Sequence, residues 1–196
     1  MDGFTTYQEL PKCTPLGFEV VQCPEAIWQQ ILEIYRLAKE NPHIEGFPGK
    51  AQIIGGGDTE IYRLDFFKER RDQIHKALQP LHEAWVGRAL IPTFVYGIRS
   101  YLNGTNLIMH RDRVETHHIS SIIIVATNEA QPWPLYIEDH TGKLHKIYTE
   151  PGQIILYESA VCLHGRPELF QGEYYRNFYV HYKFTEPRFT GQKAEA

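Results

Sequence analysis

The second half of the chain constrains the fold most. Six short runs, at 93–102, 118–127, 135–139, 143–149, 153–158 and 174–184, are rich in β-branched and aromatic residues. Turn-forming pairs stand between them: Asn103-Gly104, Asn128-Glu129, Thr141-Gly142, Pro151-Gly152 and Gln171-Gly172. Strands this short and this closely spaced pair antiparallel. They bury their apolar faces only by closing on themselves or by stacking as two sheets, as in a jelly roll.

The first half reads as helical. Pro24 and Glu25 suit a helix start. Ile27, Ile31, Ile34 and Ala38 then recur along one helical stripe, and Asn41-Pro42 ends it. A second helical stretch covers about 66–85, with Pro80 expected to break or kink it. Between them, 42–59 holds Gly55-Gly56-Gly57 and further Gly and Pro, which predicts a long irregular loop of the kind that serves as a lid. The residues after Phe189 read as a frayed end. The expected class is α+β, mainly β, as one domain over 1–196, with helical support at about 24–90 and a β core at about 93–184.

Composition removes several classes. Ten Phe, 3 Trp and 12 Tyr among 196 residues argue against disorder. No apolar run approaches the ~20 residues that cross a bilayer. A net charge of −4 disfavours phosphate backbones, so neither a nucleic-acid nor a membrane partner is expected. Cys13, Cys23 and Cys162 are an odd set without CxxC spacing, so neither a disulfide framework nor a Cys-based zinc site is expected. With no signal-like opening, the cytoplasm is the expected compartment.

The chemistry concentrates in Leu107-Ile108-Met109-His110-Arg111-Asp112-Arg113. In an extended segment His110 and Asp112 leave the same face. A distant third group, His164, stands in Leu163-His164-Gly165-Arg166-Pro167. Two imidazoles and one carboxylate form a facial triad suited to Fe(II), with positions left open on the far side. Three surface polar residues near turns are the competing reading. The apolar residues before each His argue against it, because polar groups at the ends of buried strands need partners.

On these residues the chain resembles the 2-oxoglutarate/Fe(II)-dependent dioxygenases of the prolyl 4-hydroxylase-like family. The matching order is Tyr101, His110-x-Asp112, an apolar strand at 119–126, Pro151-Gly152-Gln153-Ile154-Ile155-Leu156-Tyr157, His164-Gly165, and Gly172 before a strand with a basic residue. The resemblance implies a double-stranded β-helix (jelly roll) core flanked by N-terminal helices. It also implies Fe(II), 2-oxoglutarate and O2 as reactants, ascorbate as an accessory reductant, and succinate and CO2 as products. His110, Asp112 and His164 would hold the metal, and Tyr101 would donate its hydroxyl to the co-substrate. A Lys or Arg a short way past the distal His would anchor the far carboxylate. Tyr174 stands at the nearest matching position, so Arg176 is the expected anchor after a small shift in the loop 168–172, with Arg166 and Arg99 as fallbacks. An edge-strand charge at Arg176 and an ordinary strand aromatic at Tyr101 remain the alternatives.

Other candidates read as structural. His117 and His118 are adjacent and face opposite ways in a strand, so at most one approaches the triad. Arg111 should point away from the metal, Asp139-His140 resembles a turn, and Cys162 and Trp133 suit packing. The expected substrate is a prolyl residue of a peptide or protein, with 42–59 as the covering loop. A hydroxylase of a free amino acid or other small molecule is the first alternative. A zinc hydrolase or a non-catalytic metal-binding or sugar-binding jelly roll is the second.

Overall fold

The structure is a computed structural model that describes residues 10–39, 43–44, 53–62, 64 and 67–185. The elements are β1 (Phe18–Gln22), α1 (Glu25–Ala38), β2 (His43–Ile44), β3 (Ile54–Gly56), β4 (Thr59–Tyr62), α2 (Lys68–Val86), β5 (Leu90–Tyr101), β6 (Asn106–His110), β7 (Ile119–Glu129), β8 (Leu135–Glu138), β9 (Leu144–Ile147), β10 (Gln153–Tyr157), β11 (His164–Arg166) and β12 (Gly172–Phe184).

The strands form two antiparallel sheets. One is ordered β1-β10-β7-β12-β5-β4-β2 and the other β3-β6-β11-β8-β9. From β5 to β12 the chain passes back and forth between them, with the β8–β9 hairpin as one visit. That winding is a double-stranded β-helix, the jelly roll the turn pattern predicts. No helix among the described residues is long and apolar enough to cross a membrane.

Alternation along the large sheet builds two cores. Ile123, Val125, Ile154, Leu156, Phe178 and Val180 face the helices and meet the α1 stripe of Ile27, Ile31, Ile34 and Ala38. Ile122, Ile124, Ile155, Tyr157, Tyr175 and Tyr179 face inward and pack against Leu135 and Ile137 of the small sheet. The central strands are therefore apolar on both faces.

Three expectations need correction or limits. Pro80 neither breaks nor splits α2, which runs unbroken through it. Pro80 lies on the exposed face, where the carbonyl it leaves without a donor is open to water. The 42–59 stretch is not wholly irregular, since it contains β2, β3 and the start of β4. These are held by tertiary pairing to β4, β6 and β5 rather than by propensity. The rest of the expected lid, the helix stop Asn41-Pro42 and the terminal residues lie outside the described residues.

The α2 helix packs through two buried imidazoles. His75 and His82 flank the Tyr182 ring at 4.7 and 4.5 Å. His75 Nε2–H donates to the His181 carbonyl at 3.1 Å, and the Tyr182 hydroxyl donates to the His75 carbonyl at 2.7 Å. Burial lowers both histidines to about 4, so both are neutral in the fold. Unfolded imidazole protonates near ~6.5. Below that pH the unfolded chain takes up protons that the fold refuses. Stability should therefore be full above about pH 7 and fall as pH drops from about 6.5 toward about 4, by up to ~1.4 kcal/mol per pH unit for each group. Urea midpoints across this range check it, and in His82→Gln the slope should flatten by the share of one proton.

Candidate metal centre

Strands β6 and β11 are antiparallel neighbours, and their register sets His164 opposite His110. Directly opposed residues share a face, so the two rings stand side by side with centroids 4.4 Å apart. Asp112 lies just beyond β6. Its backbone N–H donates to the Ser159 carbonyl at 2.9 Å, which fixes the chain as it leaves the strand. Its Oδ1 sits 3.5 Å from His110 Nε2 and 3.9 Å from His164 Nε2. One donor atom from each of the three residues lies within 4.8 Å of the others.

Hydrogen bonds behind the rings set their tautomers. His110 Nδ1–H donates to the Ile108 carbonyl at 2.7 Å, and His164 Nδ1–H donates to the Cys162 carbonyl at 2.9 Å. Each Nε2 therefore presents a lone pair. Burial lowers His164 to about 4 and keeps it neutral. Burial pushes the Asp112 carboxyl up, but the surrounding imidazoles of His110, His164 and His181 hold it well below the usual carboxylate range. Its Oδ2 is buried without a hydrogen-bond partner. A buried, ionised oxygen with no donor is costly unless a cation meets it. Two imidazole Nε2 atoms and an orphaned carboxylate oxygen brought together in this way fit a divalent transition metal bound facially.

A second set of groups surrounds the triad. Tyr157 packs edge-on to His164 at 4.7 Å. The Tyr101 and Tyr179 hydroxyls share a hydrogen bond of 2.7 Å, and Asn177 Nδ2 donates to Tyr179 at 3.1 Å. His181 Nδ1 lies 3.8 Å from Asp112 Oδ2 and 2.6 Å from Ser120 Oγ. Ser159 Oγ donates to the His117 carbonyl at 2.8 Å, so it accepts from Ser120 Oγ at 2.6 Å. Ser120 in turn accepts from His181 Nδ1–H. His181 escaped the sequence reading because nothing sets it apart within the apolar, aromatic run of β12.

The candidate anchors separate clearly. Arg176 is on the helix-facing side of β12. Its guanidinium donates to the Tyr35 hydroxyl of α1 and to Ser100 Oγ at 3.2 Å, and stacks on Tyr174 at 3.7 Å. The structure does not bring it to the triad, because even-numbered residues of this part of β12 point away from the inter-sheet space. Arg166 is the opposite case. It is 1% exposed, lies between the Trp133 and Tyr175 rings at 4.8 and 4.4 Å, and donates to the Trp133 carbonyl and, at 3.2 Å, to the Tyr175 hydroxyl. No carboxylate pairs with it among the described residues. Arg99 lies over the Tyr179 ring at 5.8 Å, and Tyr101 is buried in the inter-sheet core.

The remaining candidates resolve simply. His117 stacks on His181 at 3.9 Å, whereas His118 turns away to the Val114 carbonyl and Phe184 N–H. Arg111 donates to the Val161 carbonyl at 2.8 Å. Asp139 accepts from Thr141 and Lys143 in a turn, and His140 donates to the buried Glu158 at 3.2 Å. Cys162 and Trp133 are buried in the inter-sheet core.

No protein-family profile matches the chain, and no curated protein does. Solved structures do match its fold. HygX from Streptomyces hygroscopicus, with nickel, 2-oxoglutarate and hygromycin B bound, is 12% identical at TM-score 0.61 over 87% of this chain and 84% of that one. A Pseudomonas putida prolyl-4-hydroxylase is 14% identical at TM-score 0.55, over 87% and 94%. A Trichoplax adhaerens prolyl hydroxylase, in complex with a hypoxia inducible factor oxygen degradation domain peptide fragment, is 12% identical at TM-score 0.54, over 84% and 83%.

Saturating Mn(II) should raise the thermal midpoint of the wild-type chain. At 100 times the Kd the stabilisation is ~2.7 kcal/mol, or roughly 5–10 °C for a chain of this size. In Asp112→Ala the shift should vanish, as followed by differential scanning calorimetry.

Proposed function

We propose that the chain is an Fe(II)- and 2-oxoglutarate-dependent hydroxylase that acts on a prolyl residue of a peptide or protein. The observation that carries the reading is the nearness of two unsatisfied charges, one just past β6 and the other on its neighbour β11. On β11, His164 belongs to a three-donor cluster with an orphaned carboxylate oxygen, and Arg166, two residues on, is a buried cation without an anion among the described residues. A small dianion with a chelating keto-acid at one end and a carboxylate at the other answers both demands. The fold shared with prolyl hydroxylases supports the class of reaction.

In this reading His110, Asp112 and His164 hold the ferrous ion. When bound, that ion and 2-oxoglutarate supply the O2-derived oxidant, with succinate and CO2 released. Arg166 and the Tyr175 hydroxyl bind the distal carboxylate by charge-assisted hydrogen bonds. The anchoring role thus falls to Arg166 rather than Arg176, which braces α1 against the sheet. The Tyr101–Tyr179–Asn177 network keeps a hydroxyl donor inside the barrel for the co-substrate. The aromatic wall of Tyr157, Tyr175 and Tyr179 excludes water from the reacting centre.

The test has two parts. Proline-containing peptides incubated with the protein, Fe(II), 2-oxoglutarate and O2 should gain one oxygen by mass spectrometry. Succinate without any gain on prolyl peptides would redirect the reading to a small-molecule substrate. Anaerobic Fe(II) plus 2-oxoglutarate should give a visible charge-transfer band, which a zinc hydrolase would lack. In Arg166→Gln, half-saturation of that band should need at least ~10-fold more 2-oxoglutarate, given ~1.5–3 kcal/mol for a hydrogen bond to a charged group. Arg176→Ala should leave it within about twofold.

A further inference from the structure

Beside the triad, β5 presents large aromatic side chains to solvent. Phe94 is 43% exposed and Tyr96 51% exposed, whereas more than half of the aromatics among the described residues are buried. Their rings are stacked, 5.7 Å apart and 8° from parallel. Behind them stands His117, stacked on Phe94 at 5.5 Å and bound by its Nε2 to the Tyr96 hydroxyl at 3.4 Å. His117 in turn covers His181, which is 3.8 Å from the Asp112 carboxylate. The result is a flat ledge that ends at the candidate metal centre.

The ledge is apolar on its face and cationic at its side. Arg113, next to Asp112, is exposed and has no carboxylate within ion-pair reach among the described residues. It lies close enough that its charge opposes the burial that raises Tyr96 and adds to the burial that lowers His117. The negative face of an aromatic ring attracts C–H groups made positive by an adjacent amide nitrogen, and a pyrrolidine ring offers them on a flat side. A sugar would need hydroxyl partners along the ledge, but the Tyr96 hydroxyl and the His117 nitrogens are already committed to each other and to Thr116.

We propose that Phe94, Tyr96 and His117 seat the ring of the prolyl residue, and that Arg113 selects peptides with an acidic residue beside it. This deepens the hydroxylase reading and rests on it. Arg113 acts at the rim, where its attraction is salt-sensitive.

The experiment uses the protein loaded with Mn(II) and 2-oxoglutarate, so that binding is read without turnover. Blocked pentapeptides carry a central proline followed by aspartate, alanine or lysine, and a fourth replaces the proline with alanine. By isothermal titration the wild type should bind the aspartate peptide at least tenfold tighter than the lysine peptide, and the peptide lacking proline most weakly. Arg113→Glu should reverse the aspartate-to-lysine order. Tyr96→Leu should weaken all proline peptides severalfold, whereas Tyr148→Leu, at another exposed aromatic just past β9, should not. Both side chains are exposed, and an unchanged Mn(II) thermal shift verifies folding. If prolyl peptides are hydroxylated but Arg113→Glu keeps the wild-type order, or Tyr96→Leu binds as well as wild type, the ledge assignment is overturned and the hydroxylase reading stands. If Mn(II) and 2-oxoglutarate bind but no proline peptide binds or is oxidised, the prolyl reading itself falls, and the ledge assignment with it.

Discussion

The candidate centre depends on one strand pairing. His110 and His164 share a face only in the register that sets them opposite each other, and a slip of one residue would turn one imidazole outward. Gly165 makes that register attainable. A Cβ there would meet the Leu107 and Ile108 carbonyl oxygens at 2.9 Å, so only glycine lets β11 lie this close to β6. The same Ile108 carbonyl accepts the His110 Nδ1–H. Strand contact, ring orientation and tautomer are thus fixed by the same few backbone atoms.

The triad was legible because its residue types are rare neighbours of apolar strands and their spacing carries the geometry. The strand-rich second half and the α1 stripe were legible for a similar reason: each has a clear period. The short strands β1 to β4 were not, because two to five residues carry no period to read, and β3 is largely glycine; each forms by pairing with a strand of an existing sheet. The break expected at Pro80 does not occur because its burial was not legible in the sequence: a proline on a wet helix face leaves its orphaned carbonyl to solvent.

Arg176 shows a different limit. The segment Tyr174-Tyr175-Arg176-Asn177-Phe178-Tyr179 has aromatics at both parities, because β12 is covered on both sides. A strand buried on one face announces its inner side by alternating polar and apolar residues, and this one cannot. A register shift against β7 between Arg176 and Asn177 blurs the count further. Which arginine faces the barrel became visible only when the two cores could be told apart.

Ser159 joins two parts of the cleft that the chain order keeps separate. Its carbonyl holds the backbone of Asp112, and its hydroxyl holds the backbone of His117. The Asp112 carboxylate and the aromatic ledge therefore hang from a single peg, itself buried beyond the reach of solvent. A residue that disturbs Ser159 therefore reaches the Asp112 carboxylate and the His117 backbone of the ledge through one shared contact.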